Sequence, residues 1–418
     1  MARQGERHNR IRSMTGLPAS IWALGFVSLL MDTSSELVHS LLPVFMSTVL
    51  GASMVTIGVI EGVAEATAAM VKVFSGALSD HLRKRKILLL VGYGLAALTK
   101  PVFPLANAIG WVFAARFVDR IGKGIRGAPR DAMVADLVEP ARRGAAYGLR
   151  QALDSVGAFL GPLLALGLML LWAGKIQWVL WAAVVPAVLA VVVLMFGVRE
   201  PSLTDQANES GACEDSAPTS QAARNRFSRL NLSQLSRGYW LVVALGACFT
   251  LARFSEAFLI LRADNIGLAV SFAPLVMIAM NVVYALAAYP AGRLADRVPT
   301  RRLLLLGLAL LVVADWWLAC AQSTLWVFAG AGFWGLHMAM TQGLLAKLVA
   351  DCAPQHLRGT AFGLFNLVTG FSLLLASAMA GLLWTAFGPA ATFAGSAVFA
   401  ALAALGILFS PRWQQAGA

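Results

Sequence analysis

Long apolar runs alternate with short polar loops along almost the whole chain, from Ile21 to Phe409. A run of about 20 apolar residues forms a helix long enough to cross a hydrocarbon layer ~30 Å thick. Division of the chain at its Gly, Pro and charged loops predicts twelve such spans. They cover roughly residues 19–49, 53–80, 86–106, 109–137, 144–172, 176–197, 238–262, 269–295, 302–321, 325–350, 359–385 and 389–410. The pattern therefore predicts an all-α membrane protein with twelve transmembrane helices.

The composition agrees with this pattern. Of the 418 residues, 59% are apolar and only 13% are charged, whereas soluble proteins have about half and about a quarter. This composition argues against a water-soluble enzyme. The four cysteines are scattered without C-x-x-C spacing, so we expect neither a disulfide framework nor a metal site, and no cofactor.

Basic residues occupy every second loop, and they account for the net charge of +12. They precede the first span, follow the second, fourth and eighth spans, and lie between the sixth and seventh. The intervening loops, such as 51–53 and 107–110, carry no Lys or Arg. The positive-inside rule places the basic loops and both termini in the cytoplasm. We therefore expect a multi-pass protein of the plasma membrane, the inner membrane of a bacterium, and no nucleic-acid partner.

A polar stretch between the sixth and seventh spans, rich in Ser, Asn, Ala and Gln, has the composition of a flexible linker. Its position divides the chain into two halves. The expected organisation is a basic cytoplasmic N-terminus at 1–18, a six-helix bundle at 19–197, a cytoplasmic linker at 198–237, a second six-helix bundle at 238–410 and a cytoplasmic tail at 411–418.

The two halves repeat each other's sequence. The segment GALSD at 76–80 recurs as GRLAD at 292–296, and the Ala-Asp pair at 135–136 recurs at 350–351. Parallel repeats of six spans place a substrate site near the middle of the membrane, between the halves.

A basic cluster follows each copy of the repeated segment. The first copy carries Gly76, Asp80, Lys84 and Arg85, and the second carries Gly292, Asp296, Arg297 and Arg301. This element resembles the G-x-L-x-D-R-x-G-R-[RK] signature of the major facilitator superfamily, with His81 and Arg83 replacing the usual Arg and Gly in the first copy. The resemblance extends over essentially the whole chain. It implies two six-helix pseudo-repeats, transport by alternating access, and a role for both copies in latching the cytoplasmic side.

Two further motifs resemble those of transporters within this family. The fourth span is similar to the family motif whose Arg is associated with proton transfer, so the resemblance assigns that role to Arg116, although Arg120 stands where a Gly is usual. The fifth span resembles the antiporter signature of family exporters, with its final Gly pair replaced by Ala165-Leu166. The residues that carry this antiporter-like motif are Gly148, Gly157, Gly161 and Pro162.

Several spans carry ionisable groups on one helix face, as Asp32, Glu36 and His39 do in the first span. Each such group costs roughly 2.5–3.5 kcal/mol at the bilayer centre, so we expect these faces to line a protein interior or water. Acidic residues of the first two spans then lie opposite basic residues of the fourth. The predicted proton-coupling residues are Asp32, Glu36, Glu61, Glu65, Arg116 and Arg120. The alternative, that these groups form fixed structural salt bridges, stays open.

A second set of polar groups is predicted to line the substrate cavity. Its members are His39, Asp119, Lys123, Arg126, Arg150, Asp154, Arg253, Glu256, Asn281, Tyr284, His337 and Gln342. For His337 a packing role is favoured over a role as a ligand. Asp315, beside two tryptophans, is expected near the aqueous edge of the membrane.

The motifs favour a proton-coupled antiporter that exports a small, charged or zwitterionic molecule, as a monomer in the lipid bilayer. One alternative is proton-coupled uptake of an organic anion or a metal chelate by symport. A membrane-embedded enzyme acting on a lipid-linked substrate is a third possibility. It is disfavoured because the outer loops are short and lack catalytic motifs. A sensor that does not transport is a fourth.

Overall fold

The structure is a computed structural model that describes residues 17–82, 85–139, 142–199, 235–295, 298–354 and 357–409. All regular secondary structure in these ranges is helical. The prediction of an all-α fold is therefore confirmed. Most of the predicted N-terminal segment and of the predicted linker, and all of the predicted tail, lie outside the described residues.

Eight helices lie in the described part of the first half, and the first of them is followed by a π-helical turn at Phe45–Val49. They are α1 (Ala19–Val44), α2 (Met54–Leu82), α3 (Arg85–Thr99), α4 (Val102–Leu105), α5 (Ile109–Asp136), α6 (Arg143–Leu171), α7 (Ile176–Ala182) and α8 (Val184–Gly197).

Seven helices are described in the second half, with a short 3-10 turn at Val270–Phe272. They are α9 (Arg237–Leu251), α10 (Ala257–Asn265), α11 (Pro274–Ala295), α12 (Thr300–Ala319), α13 (Thr324–Cys352), α14 (Arg358–Phe387) and α15 (Pro389–Phe409). Each predicted span falls on one of these helices or on two consecutive ones.

Nine segments of the described chain are helical, long and apolar enough to cross a membrane. The predicted fourth, seventh and tenth spans are not among them, and each of these absences has a physical reason. Helix α5 carries many charges, the seventh span is interrupted between α9 and α10, and α13 contains Gly, Trp and His residues that lower its mean hydropathy.

The interruption between α9 and α10 exposes backbone groups inside the bundle, and other helices satisfy them. The Ser255 amide donates a hydrogen bond to the Ser377 hydroxyl of α14, at 3.1 Å. The Ala252 carbonyl accepts one from the Ser396 hydroxyl of α15. Because buried backbone groups need partners, these two hydroxyls allow a broken helix at this depth. The break brings Arg253 and Glu256 to the interior.

The halves meet mainly where α2 packs on α14 and where α6 packs on α11. Glycines allow the first contact: a Cβ atom at Gly62 would lie 2.8 Å from the Leu374 Cα atom, and one at Gly370 would lie 2.9 Å from the Ala69 Cβ atom. Small residues let helix backbones approach closely inside a membrane. Helices α2 and α14 therefore form the tightest seam between the halves.

The two ends of the bundle differ in how the halves are joined. One continuous cluster of buried apolar residues includes both Phe45 of α1 and Phe258 of α10, near the end where the predicted loops carry no basic residues. We call the opposite end the basic end because Arg85, Arg237 and Arg301 lie in the first turns of helices there. Near it, two further clusters each lie within a single half. The apolar core thus bridges the halves away from the basic end.

Candidate functional site

A buried ion pair joins α2 to α5 in the first half. The Arg116 guanidinium donates to the Glu61 carboxylate at 2.6 Å, and both side chains are almost completely shielded from solvent, at 2% and 0% exposure. The second Glu61 oxygen has no hydrogen-bond partner among the described residues. Burial of a charge is tolerated when an opposite charge and hydrogen bonds accompany it, which Arg116 provides.

His39 extends this pair into a chain of polar groups that reaches α1. Its Nε2 atom lies 3.7 Å from the Glu61 carboxylate, and its Nδ1 atom lies 3.4 Å from the Glu36 carboxylate. Glu36 is 26% exposed, so one end of the chain is open to solvent and the other, at Glu61, is closed. In this chain of polar groups a proton can reside on the Glu36 or the Glu61 carboxylate, and His39 lies between the two.

A second ion pair lies one turn farther along α2. The Arg120 guanidinium lies 3.2 Å from the Glu65 carboxylate, and Glu65 is 33% exposed. Lys123, on the next turn of α5, is exposed and interacts electrostatically with Glu65 and Glu36. Glu65 is thus the carboxylate of this cluster that combines an arginine partner with access to solvent.

Asp119 does not line the cavity, in contrast to the prediction. Its carboxylate accepts a hydrogen bond from the Lys100 ammonium at 3.0 Å, and both side chains are buried. Lys100 also donates to the Ser35 hydroxyl at 3.1 Å, which ties the end of α3 to α1 and α5. Lys100 was not predicted as a functional residue, because it follows an apolar helix and its partner comes from a different span.

Arg126 and Arg150 also differ from the predicted cavity position. The Arg126 guanidinium stacks over the Tyr93 ring at 4.7 Å from its centroid. Arg150 donates to the Asp131 carboxylate at 2.6 Å, near the basic end of α5. Both groups are held by neighbours within the first half rather than presented to the space between the halves.

Asp154 and Asp32 lie along the same face of the first half. Asp154 lies 3.7 Å from Arg130 and 3.8 Å from Arg150. Asp32 is half-buried and interacts electrostatically with Asp154, Arg126 and Arg130, but forms no ion pair within 4 Å in the described part of the chain. Among the predicted coupling carboxylates, Asp32 is therefore the least constrained.

A cavity of about 360 Å³ lies between the halves. Glu65 and Ala69 contribute from α2, and the remaining walls come from α9, α13, α14 and the segment after α9. The lining residues are Glu65, Ala69, Phe249, Thr250, Arg253, His337, Thr341, Leu345, Phe362, Phe365, Asn366, Thr369, Gly370 and Leu373. This volume lies in the range of pockets that bind small molecules.

The second half presents two of its predicted residues to this cavity, Arg253 and His337. Glu256 lies outside the lining but interacts electrostatically with Arg253 and His39. Asn281 and Tyr284 are half-buried on α11, also outside the lining. The Gln342 side chain lies outside the described residues. Thr250, Thr341, Asn366 and Thr369 were not predicted, because an uncharged polar residue in a span gives little signal in a sequence.

Asp315 is fully buried between α12 and α15, which corrects its expected position at the aqueous edge. Its carboxyl oxygen lies 2.5 Å from the Ser396 hydroxyl. The aqueous-edge interpretation relied on the adjacent tryptophans, of which Trp316 is exposed while Asp315 points the opposite way, into the bundle.

The glycines of α6 pack directly against the acidic face of α1. A Cβ atom at Gly157 would lie 3.1 Å from the Asp32 Cβ atom, and one at Gly161 would lie 2.7 Å from the Glu36 Cβ atom. Gly148 differs, because nothing lies within 4 Å of the position its Cβ atom would take. Pro162 lies inside the continuous helix α6.

The gating residues at the basic end are described only in part. Arg85 donates to the Asp136 carboxylate and to the Ala132 carbonyl, so it joins α3 to α5 within the first half. Arg301 donates to the Leu408 carbonyl of α15 at 2.7 Å. Gly76 and Gly292 lie in α2 and α11. Lys84, Asp296 and Arg297, and the side chain of Asp80, lie outside the described residues.

The sequence profile of the Major Facilitator Superfamily matches residues 24–262 and again residues 256–414. The chain belongs to the major facilitator superfamily. Relatives agree: an uncharacterized MFS-type transporter of Methanocaldococcus jannaschii is 31% identical over 405 residues, which cover 94% of this chain and 95% of that protein. An uncharacterized protein of Mycobacterium tuberculosis is 27% identical over 369 residues, with 87% and 86% covered.

Solved structures of superfamily transporters share the fold. A variant of the nucleoside transporter NupG has a TM-score of 0.74 at 14% identity, covering 93% of this chain and 100% of that one. A bacterial homologue of the human lysosomal transporter Spinster has a TM-score of 0.73 at 15% identity, covering 94% and 96%. The D-xylose–proton symporter has a TM-score of 0.70 at 16% identity, covering 94% and 98%. This superfamily member is therefore a multi-pass membrane protein that carries out secondary transport of a small molecule.

Proposed function

We propose that this transporter exports its substrate in exchange for protons, and that the substrate and the proton compete for the carboxylate of Glu65. Glu65 carries the proposal because it alone among the predicted proton-coupling residues lines the cavity between the halves. It also holds an ion pair with Arg120 at 3.2 Å. A carboxylate in this place can be neutralised by a proton or by a positively charged group of a substrate, and the two exclude each other.

Exchange follows from this competition. When Glu65 is ionised, it stabilises Arg120 and attracts a cationic group into the cavity. When Glu65 is protonated, that attraction disappears and the substrate is released. For net transport the two loaded forms must favour opposite openings of the cavity, since a ligand shifts a conformational equilibrium only through different affinities for the two states.

The chain of Glu36, His39 and Glu61 provides a route for the proton beside this site. Glu61 precedes Glu65 by one helical turn on α2, and Arg116 holds it in place. Glu36 touches solvent at the other end. Under this proposal the proton enters at Glu36, and Arg116 and Arg120 adjust as the charges of Glu61 and Glu65 change.

Contacts between α6 and α1 favour antiport over other coupling schemes. The glycines of the antiporter-like motif bring α6 against the Asp32 and Glu36 positions. Helix α6 also contacts α11 of the other half. A movement of one half against the other therefore reaches the acidic face of α1 directly. With the basic end and both termini in the cytoplasm, a plasma-membrane proton gradient then drives export.

Uptake by symport of an organic anion is the competing proposal, and Lys123 favours it. This side chain is exposed and forms no ion pair within 4 Å among the described residues, as expected for a cation that binds an anionic substrate. Antiport is preferred because the carboxylate of Glu65 lines the cavity between the halves, whereas Lys123 does not.

Purified protein in liposomes distinguishes the two proposals. The liposomes contain a pH-sensitive dye, and a library of amines, amino acids and organic acids is added outside, compound by compound. In antiport, an entering substrate expels protons and the lumen becomes alkaline. In symport, the lumen becomes acidic. Protein orientation in the liposome does not change these signs.

Two variants test the role of Glu65. We expect Glu65→Gln to abolish substrate-driven proton movement, whereas the control Glu139→Gln, which alters an exposed carboxylate between α5 and α6, transports normally. Acidification of the lumen would reject antiport. Normal proton movement in Glu65→Gln would reject this carboxylate as the coupling site.

A further inference from the structure

The cavity between the halves is lined by more hydrogen-bond acceptors than donors. Three threonines contribute to this excess because each donates its hydroxyl proton to its own helix: Thr250 to the Gly246 carbonyl at 2.8 Å, Thr341 to the His337 carbonyl at 2.9 Å and Thr369 to the Phe365 carbonyl at 2.9 Å. A hydroxyl whose proton is used in this way keeps its lone pairs for a ligand. All three therefore serve as acceptors.

His337 adds a fourth uncharged acceptor. Its Nδ1 atom donates to the Gly307 carbonyl at 2.7 Å, because a carbonyl can only accept. In the neutral ring, the other nitrogen, Nε2, then carries a lone pair. Gly307 belongs to α12, so this hydrogen bond also fixes the ring where α13 lines the cavity.

Two opposite charges complete the polar lining, one from each half. Glu65 supplies an accepting carboxylate from α2. Arg253 supplies a guanidinium from the segment after α9, and it forms no ion pair within 4 Å in the part of the chain that the structure describes. Arg253 is thus a donor with no acidic group in ion-pair contact, although Glu256 interacts with it electrostatically. The other polar groups of the wall accept hydrogen bonds, apart from the amide of Asn366, which can do both.

Apolar groups form the rest of the lining, and aromatic rings are prominent among them. Phe249, Phe362 and Phe365 lie on the wall contributed by the second half, together with Leu345 and Leu373. Rings in a pocket favour a flat apolar group, which they bury from water.

We infer that the cavity binds an amphiphilic zwitterion, with its protonated amine among Glu65 and the threonine oxygens, its anionic group on Arg253, and an aromatic group against the phenylalanines. A simple cation leaves Arg253 without an anionic partner, and a simple anion leaves the threonine oxygens and His337 without a donor. An unsatisfied buried polar group is costly, so a ligand with both charges is selected over either alone. This inference rests on the proposed function only in taking the cavity as the substrate site.

Three phenyl compounds of matched size test the inference: 4-amino-3-phenylbutyrate, which is a zwitterion, 3-phenylbutyrate, which lacks the amine, and 2-phenylpropylamine, which lacks the carboxylate. Binding to the purified full-length protein in detergent is measured by equilibrium dialysis at pH 7, without any proton gradient. We expect the zwitterion to bind about tenfold or more tightly than either singly charged compound, since each lacks one charge-assisted contact.

Variants assign each charge to its partner. We expect Arg253→Gln to weaken binding of the zwitterion about tenfold and to leave the amine compound unchanged. Arg237→Gln, at an exposed position of α9, the helix that precedes Arg253, is the control and binds as the unaltered protein does. Glu65→Gln weakens binding of the zwitterion and of the amine compound, whereas binding of the carboxylate compound changes least.

The binding series separates this inference from the proposed function. Zwitterion binding no tighter than that of the singly charged compounds, including no binding by any of the three, overturns the inference, and so does unchanged binding in Arg253→Gln. Failure of proton exchange in liposomes, with the predicted order of binding intact, counts against proton antiport and leaves the substrate class standing.

Discussion

Arg116 and Glu61 form a hydrogen-bonded ion pair at 2.6 Å in a place where neither side chain reaches solvent. Among the described residues, the one other basic group in ion-pair contact with Glu61 is His39, at 3.7 Å. Removal of one member would leave the other charge buried without a close partner. The cost of a lone buried charge is much larger than the net contribution of the pair itself.

We therefore predict that Arg116→Gln destabilises the protein by about 3–5 kcal/mol, the usual cost of breaking a buried pair from one side. The double variant Glu61→Gln with Arg116→Gln recovers most of that loss, because two amides can hydrogen bond to each other without a buried charge. Thermal unfolding of the purified proteins in detergent gives the order. A double variant less stable than Arg116→Gln would contradict the explanation.

The helix faces that carry charge could be predicted from the sequence, because spacing alone places Asp32, Glu36 and His39 on one side of α1. Which groups pair could not be predicted in the same way. Lys100 pairs with Asp119, and Arg126 stacks on Tyr93, because α3 packs against α5 at that level. Such partners depend on the relative height and rotation of two helices, which periodicity within one helix does not specify.

A second prediction concerns His39, which lies between the two carboxylates of the proposed proton route. We expect His39→Gln to lose proton-driven transport by about tenfold or more, the usual range for loss of an acid–base group, since glutamine hydrogen bonds but does not bind a proton. Exchange of labelled for unlabelled substrate, which moves no net proton, should continue. Equal loss of both activities would indicate that His39 acts in substrate binding or folding instead.

The glycines of α6 provide a third prediction, with a control on the same helix. A Cβ atom at Gly161 would lie 2.7 Å from the Thr33 carbonyl and 2.7 Å from the Glu36 Cβ atom, so Gly161→Ala forces α6 away from α1. Nothing lies within 4 Å of the same atom at Gly167. We expect a loss of roughly 1–3 kcal/mol in stability and reduced transport for Gly161→Ala, as in overpacked cores, and little change for Gly167→Ala. Equal melting temperatures would show that the α1–α6 contact is loose.

The broken seventh span could not be predicted from hydropathy, because residues 252–256 lie within an otherwise apolar run. The helix stops there because distant side chains complete its backbone: Ser377 accepts from the Ser255 amide and Ser396 donates to the Ala252 carbonyl. Serines at those positions look unremarkable in a sequence. The cavity lining depends on this break, since it presents Arg253.

Asp315 also stabilises this helix break, because it contacts the Ser396 hydroxyl that bonds to Ala252. It gives a fourth prediction. The Ser396 hydroxyl lies 2.5 Å from the Ala252 carbonyl and 2.5 Å from the Asp315 carboxyl, while in the described part of the chain no basic group pairs with Asp315. Asparagine keeps both a donor and an acceptor in this position, whereas leucine keeps neither. We expect Asp315→Asn to fold and transport nearly normally, and Asp315→Leu to lose about 1–3 kcal/mol, the usual penalty for an unsatisfied buried polar group. Thermal unfolding and substrate exchange check both variants. If Asp315→Asn is as damaging as Asp315→Leu, the carboxyl group itself is required, and its contribution is not limited to holding Ser396 on the Ala252 carbonyl.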